Sequence, residues 1–226
     1  TLAKSVGIPV VYDLRAADVA AGGQGAPLVP VYHRALAARF DERPIAFVNI
    51  GGVSNITWIG SDDELVAFDT GPGNALLNDW AMRHLGTPLD MDGRLALSGQ
   101  VDEGFIDKAL SSEYFVVPPP KSLDRNSFAH LSVDHLSAAD GAATLVEFTK
   151  SGILLASDWM PEPPRLYIVC GGGRHNPAIM RSFPSRGEVF FTAEEKGLNG
   201  DAMEAEAWAY LAVRSMLGLP ISFPMT

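Results

Sequence analysis

Two neighbouring stretches decide the fold: Phe47-Val-Asn-Ile-Gly-Gly-Val-Ser-Asn55 and Phe68-Asp-Thr-Gly-Pro-Gly-Asn74. In each, an apolar run of strand character enters a glycine turn that carries small polar side chains. Two such turns can emerge side by side at one end of a sheet. Their glycines can leave backbone N–H groups to cradle an anion, and Asp69 stands where a base could face a ligand. This pattern points to phosphoryl transfer.

Working outward, strands are expected over 45–50, 55–59 and 64–68, with the first two joined as a hairpin through Gly51-Gly52. Apolar residues Ala75, Leu76, Trp80, Met82 and Leu85 recur with helical spacing, so 74–85 is expected to be a helix stopped by Gly86. Further helices are expected over 101–111 and 138–159, the latter capped by Ser137. Residues 116–120 are extended by their prolines, and an ordered loop follows over 121–128. A buried strand over 165–170 leads through Gly171-Gly-Gly173 to a helix beginning near Asn176-Pro177. A strand over 188–191 and a helix over 201–217 complete the pattern. Upstream, 8–12 reads as a short buried strand, 18–27 as a small-residue turn, and 30–40 as a helix broken by Asp41-Glu-Arg-Pro44. Such an order implies an α/β fold with a mixed sheet flanked by helices. A domain junction is expected at residue 44, giving units 1–44 and 45–226.

The 226 residues are 47% hydrophobic and 19% charged, enough to bury a substantial core. A formal charge of −10 supplies no broad cationic field, which argues against nucleic-acid or anionic-membrane partners. No apolar run approaches the roughly 18 residues of a membrane span, and no basic-then-apolar leader is read. The single cysteine, Cys170, fits a reducing compartment and reads as a small buried apolar residue. The histidines show no metal-ligand spacing. Because the chain opens at Thr1 in mid-pattern, it is expected to be a fragment.

Each candidate group has a bland counterpart. The Asn49–Asn55 turn could simply close a hairpin, although Asn49, Ser54 and Asn55 supply more polar groups than that needs. Asp69 could cap the next helix, but Asn74 is better placed for capping. That leaves Asp69 at a strand's C-terminal end, where open α/β sheets bind ligands. The glycine run at 171–173 has a nucleotide-binding look without being a Walker A loop or a dinucleotide fingerprint. Lys121-Ser122 reads either as an anion holder or, better on its own, as a solvated loop tip. Asp201 and Glu204 have the spacing of a capping box.

Taken in order, five motifs resemble the anhydro-N-acetylmuramic acid kinase family. They are Asp18-Val-Ala-Ala-Gly-Gly-Gln-Gly-Ala-Pro-Leu-Val-Pro30, Asn49-Ile-Gly-Gly-Val-Ser-Asn55, Phe68-Asp-Thr-Gly-Pro-Gly-Asn74, Pro118-Pro-Pro-Lys-Ser122 and Cys170-Gly-Gly-Gly-Arg-His-Asn-Pro177. The resemblance implies the actin/hexokinase-like (ribonuclease H-like) fold of the sugar kinases and heat-shock ATPases, here most of domain II with the end of domain I. It implies ATP-dependent opening of a 1,6-anhydro sugar by water with phosphorylation of O6, in the cytoplasm, by a homodimer, with Mg2+ carried on ATP.

By position, the resemblance makes Asp69 the base. Asn49, Gly51, Gly52 and Asn55 would approach the ATP phosphates, while Gly171, Gly172, Gly173 and Asn176 would border adenosine. Asp18, Gln24, Gly25 and Lys121 would line the sugar side, with Glu204 as a second carboxylate. Where the family continues Lys-Ser-Thr-Gly-Arg-Glu, this chain has Lys121-Ser-Leu-Asp-Arg-Asn126, so Lys121, Ser122 and Arg125 alone carry over. Pro184 is expected to shorten the helix that starts at 176. The family's opening Gly-Thr-Ser-x-Asp-Gly phosphate loop is not among these residues, nor are its last few C-terminal ones. The 226 residues alone are therefore expected to be inactive. Two rival readings are a non-catalytic nucleotide-binding module on an actin-like fold and a kinase for another sugar.

Overall fold

A computed structural model describes residues 2–184 and 189–226. Five strands form one mixed sheet: β1 (Ile45–Ile50), β2 (Val53–Ile59), β3 (Leu65–Pro72), β4 (Leu166–Cys170) and β5 (Phe190–Thr192). Their order is β3-β2-β1-β4-β5. The pairs β1–β2 and β2–β3 are antiparallel, whereas β1, β4 and β5 run parallel. This is the mixed sheet of the ribonuclease H-like arrangement that the resemblance implied.

The helices are α1 (Leu2–Val6), α2 (Ala16–Ala20), α3 (Pro30–Ala37), α4 (Asn74–Leu85), α5 (Arg94–Leu97), α6 (Glu103–Leu110), α7 (Glu113–Val116), α8 (Ala138–Leu155), α9 (Pro177–Ser182) and α10 (Met203–Met216). They cover both faces of the sheet, and the strand period of two sorts its residues between them. Ala46, Val48, Ile56, Trp58, Val66 and Phe68 pack in one layer with α4, α6 and α8. Within that layer Phe105, Phe115, Phe128 and Phe148 meet at ring-centroid distances of 5.4–6.0 Å. Ile45, Phe47, Ile59, Leu166 and Ile168 form the opposite layer with Ala37 of α3 and Met203 of α10. Helix α3 precedes the expected junction at residue 44, yet it packs on the sheet that follows.

Local signals behave as their chemistry requires. Ser137 caps α8 by accepting the Asp140 N–H at 3.1 Å, and α4 stops at Gly86. The tail of the long helix tightens into a 3-10 turn over Ala156–Trp159. Helix α9 ends two residues before Pro184, and residue 188 of the expected 188–191 strand falls outside the described residues.

Four expectations are corrected. Residues 8–12 form no strand, and Ile8 and Tyr12 are 62% and 83% exposed. Among the described residues no strand offers this segment a ladder, and Pro9 has no N–H to give one. Asn74 is the first residue of α4 rather than its cap, and its side-chain amide donates to Ile50 O at 3.0 Å. No capping box forms before α10, because Asp201 is held by Arg174 instead. Lys121 is no solvated loop tip, being 8% exposed.

Candidate active site

The ladder registers place Asp69 opposite Asn55, Asn55 opposite Asn49, and Asn49 opposite Cys170. These four residues make one row across β3, β2, β1 and β4, on the same face of the sheet. One pleat further along lie Ala67, Thr57, Phe47 and Ile168. A break in register between Ser54 and Asn55 skips Thr70, the mark of a β-bulge beside the row. Thr70 turns inward, where its hydroxyl meets Ser54 Oγ at 2.6 Å.

A cavity of about 400 Å³ opens over the row. Asp69, Asn49, Asn55, Gly171, Gly172 and Glu204 all line it, bringing six of the sequence-derived candidates together. Neither Asn49 nor Asn55 spends its side-chain amide on the protein among the described residues. Gly171 has φ +74°, and a β-carbon there would lie 2.4 Å from Asn49 Oδ1. Glycine is what lets the turn pass this close to the amide.

Asp69 is fixed from behind by the loop after the prolines. Its N–H donates to Lys121 O at 3.1 Å, and its Oδ2 accepts the Leu123 N–H at 2.7 Å. The Tyr114 hydroxyl donates to its carbonyl. Burial raises the Asp69 carboxyl to about 6, with the Leu123 N–H opposing part of that rise. Oδ1 has no protein partner among the described residues. A carboxylate held at one oxygen and free at the other, titrating near neutrality, is equipped to accept a proton.

The far wall is tied by Arg174, whose side chain is almost wholly buried. Its guanidinium donates to Gly171 O at 2.9 Å, to Glu194 Oε1 at 2.8 Å and to Asp201 Oδ1 at 2.6 Å. Burial works against its charge, but the two carboxylates outweigh that and hold its pKa above the ordinary value. Hydrogen bonds from Arg174 likewise keep the Glu194 and Asp201 carboxyls low. Cys170 is buried and its thiol is pushed up to about 12, mainly by desolvation, so it is no nucleophile.

The other candidates lie outside this cavity. Gly51 and Gly52 give their carbonyls to the N–H groups of Gly73, Asn74 and Ala75, and the Gly51 N–H goes to Val53 O at 3.2 Å. Those helix-start donors are thus spent within the protein. Gly173 lies buried against Ile50. Asn176 accepts the Ala178 N–H at 2.9 Å and, with Gly172, Asn74, Asn78 and Asp90, lines a second cavity of about 360 Å³. Gly172 is common to both.

Asp18 closes its own turn by accepting the Gly25 N–H at 2.8 Å, and Gln24 is exposed. Lys121 points into the opposite layer. Its ammonium donates to Tyr114 O at 2.9 Å and lies over the rings of Tyr114, Trp159 and Phe68. Burial lowers its pKa. Ser122 is exposed, and Arg125 pairs with Asp79 on the surface at 2.8 Å.

Among the lining residues that sequence reasoning did not single out are His33, Thr57 and Arg174. A signal for His33 was available. It shares the buried stripe of α3 with Pro30, Val31 and Ala37, where a polar ring needs a partner.

Against known proteins, the sequence profile of anhydro-N-acetylmuramic acid kinase matches residues 1–226. The chain belongs to this family. It is 53% identical to the anhydro-N-acetylmuramic acid kinase of Rhodospirillum rubrum, with 100% of this chain matching 60% of that one. The Paramagnetospirillum magneticum member is 54% identical, covering 100% of this chain and 64% of that relative. For the Caulobacter vibrioides member the values are 54%, 100% and 61%. The chain therefore spans about three fifths of the length of these anhydro-N-acetylmuramic acid kinases. Among the described residues, no helix is long and apolar enough to cross a membrane.

Proposed function

We propose that the complete protein opens the 1,6-anhydro ring of N-acetyl-anhydromuramic acid with water and transfers the γ-phosphoryl group of ATP to the released O6. The single observation that carries this reading is Asp69: a half-free carboxylate with its pKa raised to about 6, facing a cavity of sugar size. Asp69 Oδ1 takes a proton from a water molecule as its oxygen bonds to C1. The C1–O6 bond breaks, O6 keeps the electron pair and attacks the γ-phosphorus, and ADP leaves. The proton on Asp69 passes to solvent. Asn49 and Asn55, with unspent amides, orient the reactants in the same cavity.

The nucleotide's base end is assigned to the second cavity, with Gly172 and Asn176 on its wall and the phosphates directed toward the row. Among the described residues no three Asp, Glu, His or Cys side chains are grouped to hold a metal ion. Mg2+ is accordingly assigned to the phosphate oxygens it arrives on, and no step is routed through it. The lone buried Cys170 and the need for ATP support a cytoplasmic setting. The homodimer rests on family resemblance alone.

Running the reaction of the complete protein in 18O-water tests the reading. One 18O is expected on the anomeric hydroxyl of the sugar 6-phosphate and none in the phosphate. Label in free phosphate with no sugar product would overturn it.

A further inference from the structure

His33 is only 3% exposed, on the sheet-facing side of α3. Its ring lies flat on Phe47, with centroids 4.7 Å apart and planes 6° from parallel. Nδ1 is 2.8 Å from Thr57 Oγ1. Desolvation lowers its pKa to about 3, so the ring is neutral and carries one N–H.

The position of that N–H follows from Thr57. Thr57 is 1% exposed, and the hydrogen bond of its hydroxyl among the described residues is the one to His33 Nδ1. A buried hydroxyl that donates to nothing costs about 1–3 kcal/mol. The Thr57 O–H therefore donates to Nδ1, which leaves the hydrogen on Nε2. Nε2 has no protein partner among the described residues, yet no buried side-chain nitrogen or oxygen is left unsatisfied there. Nε2 is thus open to the cavity that His33 lines. Phe47 and Thr57 lie one pleat below Asn49 and Asn55, which puts this donor in the floor beside the Asp69 row.

We infer that His33 is a substrate-contacting residue, its Nε2–H donating to an uncharged oxygen, a hydroxyl or amide carbonyl, of the sugar bound against Asp69. A neutral ring on an apolar floor suits such an oxygen better than a phosphate, which calls for cations or several converging N–H groups. The inference rests on the proposed sugar-kinase reading and adds a residue to it.

The test uses the complete protein labelled with 15N-histidine, the His33 ring signals being assigned from their absence in His33→Phe. Long-range proton–nitrogen spectra at pH 7 are expected to show the Nε2–H form, with the ring signals shifting on addition of anhydro-sugar and not of ATP. His33→Phe, which keeps a flat ring against Phe47, is expected to raise KM for the sugar about 3- to 10-fold, the worth of one neutral hydrogen bond, with KM for ATP unchanged. An Nδ1–H form, or sugar turnover with unmoved ring signals and unchanged KM, overturns the His33 inference alone. Ring signals that respond to ATP instead overturn the sugar as its partner. If wild-type protein binds no sugar, the kinase reading falls and this contact with it. Should His33→Phe fail to fold, the four single variants His84→Gln, His130→Gln, His135→Gln and His175→Gln assign His33 by elimination among the five histidines of this chain, and the wild-type spectrum decides.

Discussion

Asp69 carries two opposed requirements, and one substitution separates them. Desolvation raises its carboxyl from 3.8 to about 6, so the folded chain binds its proton more tightly than the unfolded chain does. Ionised Asp69 therefore subtracts from stability. That loss grows as pH rises from about 4 to about 6 and is complete above it. The proposed reaction needs the same ionised form, so kcat/KM of the complete protein is expected to rise with pH through about 6. Asp69→Asn keeps the shape and an acceptor for the Leu123 N–H but removes the charge. It is expected to lower turnover by about 10²–10⁴ while raising the melting temperature at pH 8. Near wild-type turnover, or a lower melting temperature, would contradict the role given to this carboxylate. The residue was legible in the sequence because a strand-end Asp before a glycine turn has few structural uses. His33 could be read only as a polar ring on an apolar helix face, since the contact proposed for it depends on Thr57 and Phe47, which the fold brings to it from two strands.

At the scale of elements, the hairpin turn and the start of α4 form one unit. Gly73 N–H bonds to Gly52 O at 3.0 Å and Asn74 N–H to Gly51 O at 2.7 Å. A β-carbon on Gly73 would lie 2.2 Å from Gly51 O, whereas one on Gly52 would meet nothing nearer than 3.9 Å. Gly73→Ala is accordingly expected to destabilise by about 1–3 kcal/mol, a fall of some ~2–12 °C in melting temperature for a chain of this size. Gly52→Ala should melt within a degree or so of wild type, and equal melting temperatures for the two would refute the contact. The five strands and the helices α3, α4, α6, α8, α9 and α10 were readable, in order, from period and punctuation. The docking of this turn was not. The sequence suggests N–H groups free for phosphate, but whether a helix start lies within reach of the turn's carbonyls is a tertiary matter. Likewise the Asp-x-x-Glu spacing at 201–204 looks like a cap until Arg174 arrives from another element.

For the whole molecule, the chain spans 60–64% of the relatives it matches in Rhodospirillum rubrum, Paramagnetospirillum magneticum and Caulobacter vibrioides. Leu2, Val6, Ile8, Val10, Tyr12 and Val19 are all exposed on it. We expect the 226 residues alone to release little or no ADP when given ATP and anhydro-sugar, and the complete protein to turn over. Equal rates from both would show that this chain holds everything the reaction needs. The segment over 8–12 was misread for a related reason: an apolar run has strand character, but a strand exists only beside a partner. The row of Asp69, Asn55, Asn49 and Cys170 has a different kind of consequence. Neighbouring strands are locked about 4.8 Å apart, so the row is a fixed ruler that no single side-chain change can stretch. If the sugar lies on this row as proposed, a relative that comes to accept a larger or smaller one would have to change other lining residues, such as Pro27–Pro30, Glu204 or Trp208, while the row keeps its gauge.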